Sequence, residues 1–456
     1  MRGPVATALA SLTLRGRCLV AAGLTLLLLG VVLGERPLVQ VAVFVLALPL
    51  LSAAAVARRR FRVASRRTVT PARVPRGGDA EVRLEVTNAG RGTGGLWLLA
   101  ETVPPELGRS PEFVVDRLHG GGSAAVHYRV HGGRRGRYRL GPLRLRLVDP
   151  FGLVLRTVAG ADSAPLTVVP RVVPLGPGGP VGGHEGGGAG ARRSIAVHGE
   201  DDVSTRPYRQ GDDLRKVHWR ATARTGELMV RLEERPWRAQ ATLLLDTRAR
   251  AHLLARGHAA DSRAATARAD APPPDSLEWL VEAAASIGTA LVERGATLRV
   301  VTDALELAPA EHAAGLGSGE LLDRLAGVTP SRLSGLGPGI ELLTRAAGDG
   351  PVVALLGAIG PDEAVELVRA RSGPSTDLAV LADVGSWAAA GAQRGRRPVG
   401  ASAHGELTRQ LGAAADLLRA GGWQVAVAAA GDPVASVWAR LGRPDAAAPG
   451  LRAVPT

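Results

Sequence analysis

Two long apolar runs open the chain. Cys18 to Gly34 and Leu38 to Ala57 carry no charged side chain, and each approaches the ~20 residues a helix needs to cross a bilayer. Only Gly34–Pro37 (GERP) separates them, a stretch read as a turn. The pattern predicts a transmembrane helical hairpin over residues 18–57, preceded by a short segment, 1–17.

From about Thr68 to Val173 the period changes to two. Ala80 to Asn88, Gly95 to Val103, Ser123 to Val130, Tyr138 to Asp149 and Pro165 to Pro170 alternate apolar with polar positions, and Gly, Pro and Asn punctuate them. Short strands at this spacing predict an all-β, Ig-like sandwich over 68–173. Asp149 to Leu153 (DPFGL) reads as a turn between strands with Phe151 plugging the core. His127 and His131, four apart with a turn expected between them, make a poor metal pair. Residues 174–198 hold a Gly-rich stretch, GPGGPVGGHEGGGAGARR, which lacks the order of a phosphate loop and is expected to be a flexible linker.

The last half alternates apolar strands with amphipathic helices. Strands are predicted at Ala241–Asp246, Ala296–Asp303, Val352–Gly357, Asp377–Asp383 and Trp423–Gly431. Helices are predicted over Ser276–Gly295, in two short segments before residue 352, over Pro361–Arg371 and near Glu406–Ala420. This order predicts a doubly wound, mainly parallel α/β sheet over residues 241–445. Ligands of such sheets bind at the carboxyl ends of strands, which draws attention to Asp246, Asp303 and Asp383. The Arg-, Ala- and Pro-rich insert from Arg248 to Pro274 has the composition of a disordered loop.

Charge changes the picture in one respect. The net charge is +14, but all except one of the 56 Lys and Arg residues are Arg, Lys216 being the exception. That skew resembles a GC-rich coding bias, so basicity points to an anionic partner only where it clusters. It clusters around the hairpin: Arg2, Arg15 and Arg17 precede it, and Arg58, Arg59, Arg60, Arg62, Arg66 and Arg67 follow it. The positive-inside rule then puts a two-pass protein in the cell membrane, with the lipid bilayer as partner and both termini and the bulk of the chain in the cytoplasm. Cys18 is the only cysteine, which excludes an intramolecular disulfide and a Cys-based zinc site.

The candidate chemistry gathers in residues 199–240, above all in RPYRQGDDLRKVHWRATARTGELMVR, Arg206 to Arg231. Bases interleaved with rings could bind nucleic acid, but Asp212, Asp213 and Glu227 would repel phosphate, so no nucleic-acid partner is expected. Asp212, His218 and Thr222 supply the residue types of a base and a nucleophile, the basis of an enzymatic alternative using Asp212 and His218. Without a nucleophile elbow or a metal-binding HExxH to support that, the leading reading is structural. Asp212 and Arg215 mark a helix start, Trp219 is a packing anchor, and Arg206 and Arg224 can fork onto carboxylates.

With Arg206, Tyr208, Gly211, Asp212, Arg215, His218, Trp219, Thr222, Ala223 and Arg224, the segment resembles the signature of the bacterial domain-of-unknown-function 58 family. The hairpin, the RG-Y-GP stretch at Arg135–Pro142, DPFGL, and a strand ending in Asp after the signature extend the resemblance over most of the chain. The resemblance implies a von Willebrand factor A-like C-terminal domain, no catalytic residues, and an adaptor or scaffold role with protein partners, among them a MoxR-type AAA+ ATPase. It also implies a DxSxS metal site at Asp246. Here the sequence is DTRAR, with Arg248 and Arg250 in the two Ser places, where their charges oppose a cation. No cofactor is therefore expected. Mg²⁺ held through Asp246 for ligand binding is the weaker alternative.

Overall fold

The computed structural model describes residues 12–58, 63–90, 97–116, 118–148, 151–176, 205–207, 219–227, 229–231, 240–252, 275–307, 316–345, 350–371, 376–393 and 400–441. The chain divides into two compact units, one built mainly on Met1–Arg171, the other mainly on Val172–Ala255, Pro273–Leu321 and Thr329–Thr456.

The first unit begins with helices α1 (Leu14–Leu33) and α2 (Arg36–Arg58), both long and apolar enough to span a membrane. Gly34, at φ 72°, ends α1 in a left-handed conformation that glycine adopts without strain. The turn is shorter than the four residues expected. Pro37 lies inside α2, because the first turn of a helix tolerates a residue without an N–H. Gly16, Gly23 and Gly30 recur every seventh residue and are the buried residues of α1. A Cβ at Gly23 would lie 2.7 Å from Leu46 Cγ, and one at Gly30 would lie 2.9 Å from Val39 Cγ2. Small residues thus let the two helices approach, while Leu28, Val31, Val32 and Phe44 face outward.

Ten strands follow: β1 (Val63–Thr70), β2 (Arg73–Pro75), β3 (Asp79–Asn88), β4 (Trp97–Glu101), β5 (Glu112–Val115), β6 (Ser123–His131), β7 (Gly136–Leu140), β8 (Leu143–Val148), β9 (Leu155–Ala159) and β10 (Ala164–Val169). They form sheets β1-β3-β6, β2-β10-β7 and β5-β4-β8-β9. Alternation along β3 buries Ala80, Val82, Leu84 and Val86. Val82 joins Leu140, Leu166 and Val168, and Leu84 joins Trp97, Leu99 and Leu145, so the first sheet packs on both others. The single strand expected over Tyr138–Asp149 is two strands in different sheets. Gly141, at φ 100°, turns the chain between them, and Pro142 has no N–H to continue a ladder.

His127 and His131 lie on the same strand, β6, with no turn between them, and each faces an acid: Glu81 at 3.4 Å and Asp79 at 2.7 Å. Phe151 is not a core plug. It is 61% exposed, and Leu153 and Val154 take the buried places. Inside this unit Arg67 forks onto Glu101 (2.7 and 3.1 Å) and reaches both the carboxylate and the carbonyl of Asp162 at 2.8 Å. Burial acts to lower the Arg67 pKa, but the bonds and charges of Glu101 and Asp162 outweigh it and raise the pKa.

The second unit starts with a small antiparallel pair, β11 (Thr205–Pro207) and β12 (Met229–Arg231), and helix α3 (Trp219–Thr225) between them in sequence. Then come β13 (Gln240–Leu245), α4 (Ser276–Glu293), β14 (Thr297–Thr302), α5 (Ser318–Ala326), α6 (Gly337–Arg345), β15 (Val352–Leu356), α7 (Pro361–Ala370), β16 (Leu378–Ala382), α8 (Val384–Gln393), α9 (Ala401–Ala420), β17 (Gln424–Ala428) and α10 (Val434–Leu441). The sheet has the order β14-β13-β15-β16-β17, with every pair parallel. β15 and β16 are buried along their whole length, as continuous apolar strands covered on both faces must be. Leu244, Ala354, Leu356, Ala379 and Leu381 face Ile340, Leu343, Leu367 and Leu418 of α6, α7 and α9.

One expectation changes in this unit. The insert expected to be disordered from Arg248 begins in ordered chain. Arg248, Ala251 and His252 are buried, and Ala249–Ala251 form a 3₁₀ turn. The Gly-rich stretch beyond residue 176 lies outside the described residues.

Candidate functional site

In a parallel sheet of this order the chain leaves β13 toward β14 on one side and later returns to β15 on the other. The crevice at that reversal, at the carboxyl ends of β13 and β15, is where such folds bind ligands. β13 runs apolar through Leu243, Leu244 and Leu245 and delivers Asp246 to this point, fully buried. Gly357, just past β15, donates its N–H to Asp246 Oδ2 at 3.1 Å.

The crevice is filled from within. Arg248, 1% exposed, places Nε 2.9 Å from Asp246 Oδ1 and Nη2 2.9 Å from Oδ2, a bidentate fork. Its backbone N–H also donates to Oδ1, at 3.0 Å. Nη1 donates to Glu363, held in the first turn of α7, whose other oxygen accepts from Gly360 N at 3.3 Å. Burial works to lower the Arg248 pKa. Hydrogen bonding and charge from Asp246, with Glu363, outweigh it and raise it. His252 closes the roof, with Nε2 3.0 Å from Asp246 O and Nδ1 2.9 Å from Ser276 Oγ. A Cβ at Gly357 would lie 2.5 Å from Ala251 O, so glycine is what lets this plug seat on the end of β15.

Next to it, Asp303 at the end of β14 is also fully buried. Its Oδ1 accepts from Thr247 N (2.7 Å) and Thr247 Oγ1 (2.5 Å), and its Oδ2 accepts from Ser331 Oγ. Asp383 lies two strands from Asp246 and accepts from Ser386 N at 3.2 Å at the start of α8. The three strand-end acids therefore do not converge, and two of them tie loops to the sheet.

A divalent cation at Asp246 would need carboxylate and hydroxyl oxygens turned toward open space. Both Asp246 oxygens are occupied by N–H donors and the guanidinium takes the cation's position, so these residues do not fit a metal ion. Among the described residues no group of three or more His, Cys, Asp and Glu is arranged to hold one. Arg250, the other replaced position, is exposed. Glu363 and His252 were not anticipated from the sequence. The available signal was Arg248 itself, since an arginine beside a strand-end acid in an apolar setting calls for further oxygen acceptors.

The signature residues are divided. Arg206 lies on β11 opposite Val230 of β12. Tyr208, Gly211, Asp212, Arg215 and His218, and with them the expected helix start and the pair of the enzymatic alternative, fall outside the described residues. Trp219, Thr222, Ala223 and Arg224 share α3. Trp219 is not a packing anchor. It is 71% exposed, Ala223 and Arg224 are exposed, and Thr222 is half-buried. A seven-residue helix cannot bury every face, and α3 turns its largest ring outward.

No curated protein matches the chain. Among solved structures it resembles a CARDB domain from Pyrococcus furiosus (15% identity, 24% of this chain and 96% of that one, TM-score 0.19). It also resembles the alkylpurine DNA glycosylase AlkC of Pseudomonas fluorescens (14%, 29% and 40%, TM-score 0.17). A third is the β-glucosidase EmGH1 of Erythrobacter marinus (14%, 24% and 16%, TM-score 0.16). At these scores the resemblance carries neither fold nor function to this chain. Residues 204–270, which hold the signature, α3 and the Asp246–Arg248 pair, match the family described as "Protein of unknown function DUF58". The matched segment is the one that carries the resemblance to the domain-of-unknown-function 58 family.

Proposed function

We propose that this protein is a membrane-tethered, non-enzymatic adaptor. In this reading α1 and α2 span the bilayer with both termini and the bulk of the chain in the cytoplasm, the strand-rich part is an Ig-like sandwich, and the α/β part is a von Willebrand factor A-like domain that binds a protein partner. The observation that carries it is the filled crevice. With Arg248 seated on Asp246 and Glu363, and His252 above them, the place where such a sheet takes a small ligand or a metal is occupied by the chain itself. Recognition then falls to the surface. In the family segment that surface presents an exposed Trp219 and, on the same short helix, an exposed Arg224, and aromatic and arginine side chains dominate binding hot spots. The partner class we favour is a MoxR-type AAA+ ATPase, on the family resemblance.

The test is affinity of the full chain in detergent for the MoxR-type ATPases of the same genome. Trp219→Ala is expected to weaken binding by about 2 kcal/mol, roughly thirty-fold, with the unfolding midpoint unchanged. Failure of the unaltered chain to bind any of them, or full binding by the variant, overturns the reading.

A further inference from the structure

The turn at Phe151–Gly152 has no part in the site above, and Phe151 is 61% exposed. Yet the turn is fastened to the start of α1. Thr13 N donates to Leu153 O at 2.9 Å, and Thr13 Oγ1 donates to Gly152 O at 2.6 Å and Leu153 O at 3.2 Å. Leu12 and Val154 form an antiparallel bridge. A Cβ at Gly16 would sit 2.3 Å from Leu153 O, so the contact exists because residue 16 has no side chain. Leu153 and Val154 pack with Leu12, Leu19, Leu48 and Ala53, joining the turn to both helices.

These bonds fix the height of the turn. α1 runs uncharged from Cys18, and Arg15 and Arg17 in its first turn mark where headgroups begin. Its Thr13 end therefore lies where acyl chains meet headgroups, and Phe151 shares that level. Leu14 is 78% exposed there, and Arg15 and Arg17 are exposed beside it. An aromatic ring, an exposed leucine and two arginines at one level suit the boundary of an anionic leaflet.

We propose that Phe151 inserts into the headgroup–acyl boundary of the bilayer that α1 and α2 cross, holding the strand-bearing unit against the lipid surface. This rests on the spanning reading given above. The partner is the lipid interface. Only the ring and its neighbours on the turn contribute, because Leu153 and Val154 are already buried against the helices.

The experiment uses the full chain in phosphatidylcholine–phosphatidylglycerol vesicles with an environment-sensitive fluorophore on a single cysteine. One probe sits on native Cys18, which is exposed on α1. The others sit on Phe151→Cys or Arg109→Cys in a Cys18→Ser background. Residue 109 follows β4, which pairs Leu98 with Arg146 and Glu101 with Leu143, so it lies away from the end of β8 that approaches the turn. The probe at 151 is expected to emit to the blue of the probe at 109, to be quenched by lipids with a shallow nitroxide, and to be several-fold less accessible to iodide. Diazirine-bearing lipids should likewise label Phe151 of the unaltered chain and leave Arg109 unlabelled. If the probes at 151 and 109 behave alike and the lipid adducts miss Phe151 while Cys18 is lipid-quenched, the proposal falls and the span stands. If Cys18 itself is open to iodide, the spanning reading fails and the proposal falls with it.

Discussion

Replacing Arg248 with methionine is the most direct probe of the filled crevice. The substitution keeps an unbranched stem in the buried space and removes a guanidinium that bonds both oxygens of Asp246 and one of Glu363. Removing one partner of a buried ion pair costs about 3–5 kcal/mol, because the other charge is left without compensation. Asp246 keeps two backbone donors, Arg248 N and Gly357 N, and Glu363 is partly exposed. The expected loss is therefore near the lower end, about 3 kcal/mol. Asp246→Asn in the same chain removes the stranded charge, so the two substitutions should be non-additive by about 2 kcal/mol. The assay is urea unfolding of the full chain in detergent, read by tryptophan fluorescence, since Trp279, Trp387, Trp423 and Trp438 are all buried in the α/β unit and report on it. Millimolar Mg²⁺ should leave the midpoint of the unaltered chain unchanged. A Mg²⁺-dependent rise in that midpoint, or additive effects of the two substitutions, would refute the reasoning.

Three further outcomes are expected. Arg67→Met should cost the strand-bearing unit about 3–5 kcal/mol by stranding buried Glu101, whereas Arg83→Met, which breaks an exposed pair with Glu85, should cost at most about 1 kcal/mol; hydrogen exchange in β1 and β4 separates the two. Gly16→Leu forces a side chain onto Leu153 O and should expose the turn at 151–154 to proteolysis without removing the chain from membranes, and an unchanged cleavage pattern would count against that contact. Tyr128 is pushed above the ordinary tyrosine range, first by burial and then by the charge of Glu101, with Arg67 pulling it back. Because the folded value is the higher one, its contribution to stability is complete below the ordinary pKa of about 10 and is lost as pH rises toward the folded value. In an alkaline titration one of the chain's three tyrosines should ionise only on unfolding, and Tyr128→Phe should remove that step.

Periodicity carried most of the element map. Uncharged runs of helical length marked α1 and α2, alternation marked β3 and β6, and continuous apolar runs marked the parallel strands, because burial on one face or on both leaves its own spacing in sequence. It failed where chain direction depended on backbone conformation, as at Gly141, and where a strand carried mostly polar residues, as β1 does with Ser65, Arg66, Arg67 and Thr68. The glycines of α1 were overlooked because each is unremarkable in an apolar run; only their common spacing of seven, matched to Leu46, Val39 and Leu153 on other elements, gives them meaning.

The sequence by itself determined which residues could be buried and which chemistry was present: two uncharged runs long enough to span a bilayer, strand-end acids at 246, 303 and 383, and arginine where a metal site would carry serine. The signature was legible as a segment, but the outward direction of Trp219 was not. Tertiary structure decided the rest, because it depends on which distant groups meet. Glu363 lies 115 residues from Arg248, and only their contact turns an apparently obstructive charge into an internal counter-ion. Likewise, only the bonds from Thr13 to Gly152 and Leu153, across some 140 residues of chain, set Phe151 beside the start of α1 rather than in a core.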